Sequence, residues 1–229
     1  DAKVSEKYDL RFEASIKVLY QKLPKAFDIL SEVLLTSKLD DKKRLKEIID
    51  ELKASLSSKV GNSGHSLAIG RASSYFSEAS YISDIISGVE YLWFIEDLAE
   101  NFDARVDELV EKLKETAKAI FNKDNLVLSY TANEELGDED VSPSVRNLKI
   151  LKKNEGLKTS AQIQYVARTG NFKKDGYEYT GVLKALENIM DYGYLWENIR
   201  VKGGAYGCMS GYSYSGNVYF CSYRDPNLD

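Results

Sequence analysis

From Phe12 the apolar residues alternate as Phe12, Ala14, Ile16, Val18 and Tyr20, the two-residue period of a half-buried strand, so a strand is expected first. Pro24 then suits the first turn of a helix, and Phe27, Leu30, Leu34 and Leu35 follow at helical spacing up to Thr36. Asp40 is the expected cap of a longer helix with Leu45, Ile48, Ile49, Leu52, Leu56 and Val60 on one face, interrupted by Gly61-Asn62-Ser63-Gly64 and resuming near His65. Ser77 to Glu100 predicts a third helical region, apolar enough at Ile82, Ile85, Ile86, Val89, Leu92, Trp93 and Ile95 to be buried on more than one side. Val106, Leu109, Val110, Leu113, Ala117, Ile120 and Phe121 mark a fourth helix, with Asp103 as its expected cap.

Beyond Asn122 the pattern changes. Asn125 to Thr131 predicts a strand, and Glu134 to Pro143, acidic and poor in large apolar groups, predicts an exposed loop. Ala161 to Ala167 alternates again, Tyr177 to Asn198 predicts a helix, and Ala205 to Tyr214 pairs with Asn217 to Tyr223 across Ser215-Gly216 as a β-hairpin. The expected fold class is α+β, with a helix-rich segment over 1–122 followed over 123–229 by a mixed, mostly antiparallel sheet with packed helices. A Ser215-Gly216 turn would put Cys208 and Cys221 on the same face of the hairpin.

Composition narrows the function classes. With 31 basic and 36 acidic residues the net charge is -5, which argues against a phosphate-binding surface and so against a nucleic-acid partner. Most of the 16 tyrosines are read as strand and core packing, since base-stacking platforms also need a basic groove, with a wide polar cavity as the other reading of Tyr212, Tyr214 and Tyr219. No apolar stretch approaches the ~20 residues needed to cross a bilayer, so no membrane partner is expected. Asp1 is not an initiator methionine and no signal peptide follows it, so the chain reads as a piece of something longer, whose last residues do not resemble a natural finish. Two cysteines without a C-x-x-C pair predict free, mostly buried thiols in a reducing compartment, a bacterial cytoplasm fitting best; a removed organelle-targeting segment would leave no trace.

Several chemistries are excluded by what is missing. His65 is the only histidine, so neither an H-x-x-E-H zinc helix nor any two-histidine metal site exists within this chain. Following a Gly/Ser break at a helix start, His65 itself reads as structural, hydrogen-bonded at the junction. Gly211-Tyr212-Ser213-Tyr214-Ser215-Gly216 only approaches the serine nucleophile elbow, and Gly203-Gly204-Ala205-Tyr206-Gly207 fits neither a dinucleotide fingerprint nor a P-loop. One constellation looks chemical. Arg200-Val201-Lys202-Gly203-Gly204-Ala205-Tyr206, at a helix end, combines a permanent charge with a phenol across two glycines that permit a sharp turn. Such donors suit peptide carbonyls or a developing oxyanion. The bland reading of Arg200 is a helix-dipole partner or a surface ion pair.

Tyr194 to Gly207 (YLWENIRVKGGAYG), followed by Ser222 to Leu228 (SYRDPNL), closely resembles the C-terminal half of zinc metallopeptidases of the M16 (insulinase, pitrilysin-like) family, in its presequence-protease branch, subfamily C. Gly61 to His65 is similar to that family's SGH segment, Ser87 to Leu92 to its next helix, and Gln162 to Ala167 and Gly176 to Tyr179 also match. The resemblance implies M16-like α/β domains. Residues 1–122 would be the helix-rich part of the third domain, and 123–229 the beginning of an incomplete fourth. Relatives carry a further helix where 131–161 has only a short acidic segment. The resemblance further implies a zinc-dependent endopeptidase that degrades unfolded peptides in a chamber enclosed by two halves. Zinc is then held by the N-terminal half of the same protein, where it polarises the scissile carbonyl while a glutamate serves as general base. Arg200 and Tyr206 match the family's arginine and tyrosine that reach the substrate, implying substrate positioning and transition-state stabilisation, with Gly204 beside them in the substrate-binding set. This segment alone should bind no metal and be inactive. A non-catalytic peptide-binding or scaffold relative of the same fold is the alternative.

Overall fold

A computed structural model describes residues 10–122, 152–159 and 162–227. The strand expected at Asn125 to Thr131 and the loop at Glu134 to Pro143 lie outside them, and the boundary expected near Asn122 falls at their edge. Two compact units emerge, one from 10–51 and 97–122, the other from 52–96, 152–159 and 162–227.

In the first unit a 3-10 turn at Tyr20–Lys22 leads into α1 (Leu23–Thr36), whose first turn holds Pro24, where a missing N–H forfeits no helical bond. Helix α2 (Lys42–Ser73) begins here, and its first turn is fixed by Asp41, whose Oδ1 accepts from the Arg44 amide at 3.0 Å. The cap is therefore Asp41, and the expected Asp40 instead pairs with Lys114 at 3.2 Å. Helix α5 (Phe102–Ile120) follows Asn101, so Asp103 stands inside the first turn, where it complements the helix dipole instead of capping. Phe102, Val106 and Val110 at helical spacing are buried with Ala26, Ile49 and Leu98, each large side chain contributing ~1.5–3 kcal/mol.

The first expected strand is not formed, since 10–19 adopt no regular element. Alternation makes a strand only where a neighbour takes its N–H and C=O groups, and none of the described strands pairs with it. Phe12 packs edge-on against Phe121 at 5.1 Å, while Leu10, Ile16 and Leu19 are exposed.

In the second unit α2 continues through the glycine-serine break as a kink at Ser63 (φ -135°, ψ 32°). The kink accommodates Tyr165. A Cβ on Gly64 would lie 2.4 Å from the Tyr165 ring, whose hydroxyl donates to the Gly61 carbonyl at 3.1 Å. The region from Ser77 divides at Gly88 into α3 (Glu78–Ser87), capped by the Ser77 hydroxyl, and α4 (Val89–Glu100), whose last residues belong to the first unit. Its expected burial on several sides is only partly realised: Val89 and Ile95 are buried, but Ile85, Ile86, Trp93 and Phe94 are exposed.

A buried charge node joins α2, α3, α4 and the segment 152–159. Arg71, 7% exposed, donates to Asp84 at 2.6 Å, Glu90 at 2.8 Å and Glu155 at 2.6 Å. Its guanidinium lies over the rings of Trp93 and Tyr75 at 5.1 and 5.2 Å, and the Tyr75 hydroxyl donates to Glu155. Arg71, and secondarily Tyr75 and Lys153, hold the Glu155 carboxyl at a pKa of about 2, against the opposing effect of burial. A depressed carboxylate stabilises the fold at pH above its unfolded value near 4.5, and that contribution is lost as pH falls toward 2. Comparing wild type with Glu155→Gln by chemical unfolding, the stability gap should be widest near pH 7, narrow below pH 4.5 and close as pH falls to about 2; a pH-independent gap would contradict this.

The sheet is antiparallel in the order β1-β3-β2, with β1 at Ala167–Asn171, β2 at Gly207–Tyr212 and β3 at Asn217–Tyr223. The described part of the alternating stretch before β1 contributes a bridge between Gln164 and Asp225 and a Val166 carbonyl that accepts from the Ser222 amide at 2.9 Å. The hairpin forms as expected but one residue out of register, with Cys208 opposite Ser222 and Met209 opposite Cys221. The cysteines therefore lie on opposite faces, not on one. The cause is a three-residue loop, Tyr214-Ser215-Gly216, closed by Ser213, whose amide donates to the Asn217 carbonyl at 2.9 Å and whose hydroxyl accepts from the Asn217 amide at 3.1 Å, one residue before the expected closing pair. Both thiols are free.

Candidate functional site at the end of the sixth helix

The helix expected from Tyr177 starts later and runs further. Helix α6 (Val182–Ile189) continues into wider, π-type turns at Met190–Tyr194 and Trp196–Lys202. Such turns are uncommon and recur at functional sites. They are tied to the sheet at one end by Asp191, whose Oδ1 accepts from both the amide and the hydroxyl of Ser210 at 2.7 Å, and Leu195 between them is buried.

At the other end the chain reverses within four residues. The amides of Gly203, Gly204 and Ala205 donate to the carbonyls of Asn198, Arg200 and Ile199 at 3.0, 3.0 and 3.1 Å, and Asn227 donates to the Gly203 carbonyl at 2.7 Å. A Cβ at position 203 would meet the Ile199 carbonyl at 2.6 Å, and Gly204 has φ +81°, which side chains resist, so both glycines are needed for the turn. Ala205 is buried, and the Tyr206 amide donates to the Arg224 carbonyl at the mouth of the hairpin.

This turn brings together the two residues singled out from sequence. The Arg200 guanidinium carbon lies 4.6 Å from the Trp196 ring centre and 5.3 Å from that of Tyr206. Tyr206 is 65% exposed and Trp196 41%. Among the described residues no carboxylate pairs with Arg200; the adjacent Glu197 faces Lys202 at 3.6 Å. The surface-ion-pair reading of Arg200 therefore has no support here, while its place in the last turn is compatible with a helix-dipole partner. Gly204 stands at the surface of the turn with its amide engaged by Arg200.

His65 is held differently from the expectation. Its Nδ1 is shielded from water with no hydrogen-bond partner among the described residues, and its ring meets Tyr223 edge-on at 4.8 Å and Tyr165 at 6.2 Å. Sequence reading missed this aromatic cluster, because its members stand far apart in the chain and no local period links them. The environment of both thiols disfavours the thiolate: burial pushes Cys221 up to about 12, and burial followed by the Asp191 charge raises Cys208 against the opposing Arg200.

The donor set does not fit a zinc centre. The chain has a single histidine, and among the described residues no group of three His, Cys, Asp or Glu side chains could hold a metal ion. Nor, among those residues, is any helix long and apolar enough to cross a membrane.

Comparison with known proteins places the chain. The family of segments associated with M16 peptidases of subfamily C matches residues 1–98, and the PreP C-terminal domain matches residues 154–229. Protein HypA of Clostridium perfringens is 36% identical over 94% of this chain and 24% of its own length. Presequence protease 1, chloroplastic/mitochondrial, of Arabidopsis thaliana is 25% identical over 88% of this chain and 20% of its own length. The mitochondrial presequence protease of Drosophila melanogaster is 26% identical over 99% of this chain and 23% of its own length. The chain thus spans less than a quarter of the length of these relatives. With both family segments present in order and homology to presequence proteases over most of its length, the chain belongs to the presequence-protease branch, subfamily C, of the M16 peptidase family.

Proposed function

We propose that this chain is a non-zinc-binding segment of a zinc-dependent endopeptidase that degrades unfolded peptides in an enclosed chamber, and that Arg200 and Tyr206 position the peptide and stabilise the charge that develops on its carbonyl. The observation that carries this reading is the Arg200 guanidinium set over Trp196 and Tyr206, with no acidic partner among the described residues. Beside these two rings the guanidinium would offer several donors to carbonyl oxygens, and the exposed Tyr206 hydroxyl would add one more. Gly204, whose amide is engaged, retains its carbonyl for an extended peptide's N–H. The part-buried tie of Asp191 to Ser210 and the double-glycine turn fix both elements before substrate arrives, which favours preorganised stabilisation.

Zinc is proposed to reside in the N-terminal half of the parent protein, and this segment by itself is proposed to be inactive. A cytoplasmic location is supported by the two free thiols.

Tyr206→Phe in the full-length protein tests the role of the phenol. The deleted group is a neutral donor worth ~1 kcal/mol, so peptide turnover should fall roughly fivefold. The melting temperature should hold, because the hydroxyl is exposed and the ring is retained. Unchanged turnover with lowered stability would assign Tyr206 a structural role instead.

A further inference from the structure

We propose that His65 is a positioning residue for Tyr206, acting through the ring of Tyr223; the inference rests on the reading of Tyr206 as substrate-facing. The kink of α2 and the candidate site are far apart in sequence but joined by an unbroken series of ring contacts. His65 meets Tyr223 edge-on at 4.8 Å with an interplanar angle of 88°, and Tyr165 packs on Tyr223 at 5.6 Å. Tyr223 in turn meets Tyr206 at 6.0 Å and 62°, and Tyr206 stands 5.3 Å from the Arg200 guanidinium carbon. All three ring distances lie in the range where edge-to-face aromatic pairs attract.

Tyr206 needs such support. Most of its side chain is exposed, and the backbone bond from its amide to the Arg224 carbonyl fixes where the residue starts, not where its ring points. The ring's direction is set by Tyr223 on one side and Arg200 on the other. Tyr223 is itself held from the α2 side by two rings. Tyr165 is locked in the notch left by Gly64 and bonded to the Gly61 carbonyl, while His65 closes the edge. With Nδ1 unpartnered among the described residues, the imidazole acts there as a wedge of fixed shape and not through a hydrogen bond. Removing it frees Tyr223 to tilt, and the displacement passes to the phenol and to the guanidinium beside it.

The test is steady-state peptide cleavage by the full-length, metal-loaded protein. His65→Ala and the bulkier, ringless His65→Leu should each lower kcat roughly tenfold with KM within about twofold, and His65→Phe should recover kcat to within about threefold of wild type, as expected when misplacement alone slows a reaction. In a Tyr206→Ala background the same His65 changes should cost nothing further, because the route through Tyr206 is already cut. A full additional loss in that background would overturn the proposal, as would a His65→Phe variant as slow as His65→Ala. Unchanged kcat in His65→Ala and His65→Leu while Tyr206→Ala is impaired would overturn it while leaving the Tyr206 reading intact. If Tyr206→Ala itself turns over peptide normally, the reading of Tyr206 fails and takes the His65 role with it.

Discussion

Arg200→Ala in the full-length protein is expected to lower peptide turnover about 10²-fold or more, the typical cost of deleting one preorganised donor that acts mainly in the transition state. Zinc content should not change, because no metal ligand is touched, and thermal stability should change little. Arg200 lacks an acidic partner among the described residues, and its ring contacts with Trp196 and Tyr206 are partly exposed, so its removal leaves no buried charge unpaired. The effect should exceed that of Tyr206→Phe because a charged, multidentate donor is replaced, not a single neutral one. Metal analysis, melting temperature and kcat on one preparation separate the alternatives: a variant with wild-type turnover contradicts the assignment, and one that loses both turnover and stability points to a structural arginine.

The largest expected effect on stability lies elsewhere. Arg71→Ala should destabilise its unit by ~3–5 kcal/mol, the cost of leaving a buried ion without its partner. Asp84 is 4% exposed, and its other carboxylate oxygen is already used by the Val89 amide at 2.8 Å, so the charge has no alternative route to water. Glu90 and Glu155 are more accessible and contribute less. Adding Asp84→Asn to Arg71→Ala should return part of the loss, because the stranded charge is removed. Arg71→Lys should not rescue, since a single ammonium cannot span three carboxylates while lying over the Trp93 and Tyr75 rings. Hydrogen exchange of α2, α3 and α4 in the full-length protein reads this directly, and unchanged protection in Arg71→Ala would refute the role of the node.

The node also shows what sequence could not reveal. Arg71 meets its three partners 13, 19 and 84 residues away, and no local period announces such a convergence. By contrast, the helices were legible because their apolar stripes repeat locally, and α1 and α5 stand close to where spacing put them. Errors cluster where a tertiary partner or a side-chain bond decides. Asp41 outcompeted Asp40 as a cap because Lys114 claims Asp40. The hairpin was found from its alternation, but its register was missed because Ser213 closes a longer turn than Ser215-Gly216 suggested. The alternation from Phe12 gave no strand because pairing, not pattern, makes one.

At the site, the pairing of Arg200 with Tyr206 was legible from the two glycines between them, since a chain that must turn at φ +81° folds the following residue back over the helix end. Trp196 as the second ring over Arg200 was visible only in retrospect, as an i, i+4 neighbour. The aromatic path from His65 was not visible, because it depends on how β3 lies against the kinked helix.

On the function proposed above, this chain is part of a peptidase and not of a peptide-binding scaffold. The most direct measurement is mass spectrometry of an unstructured peptide incubated with the full-length, zinc-replete protein, with and without a chelator. A peptidase predicts internal cleavage products that disappear when zinc is withdrawn. Peptide bound but recovered intact from the folded, zinc-replete protein would contradict it.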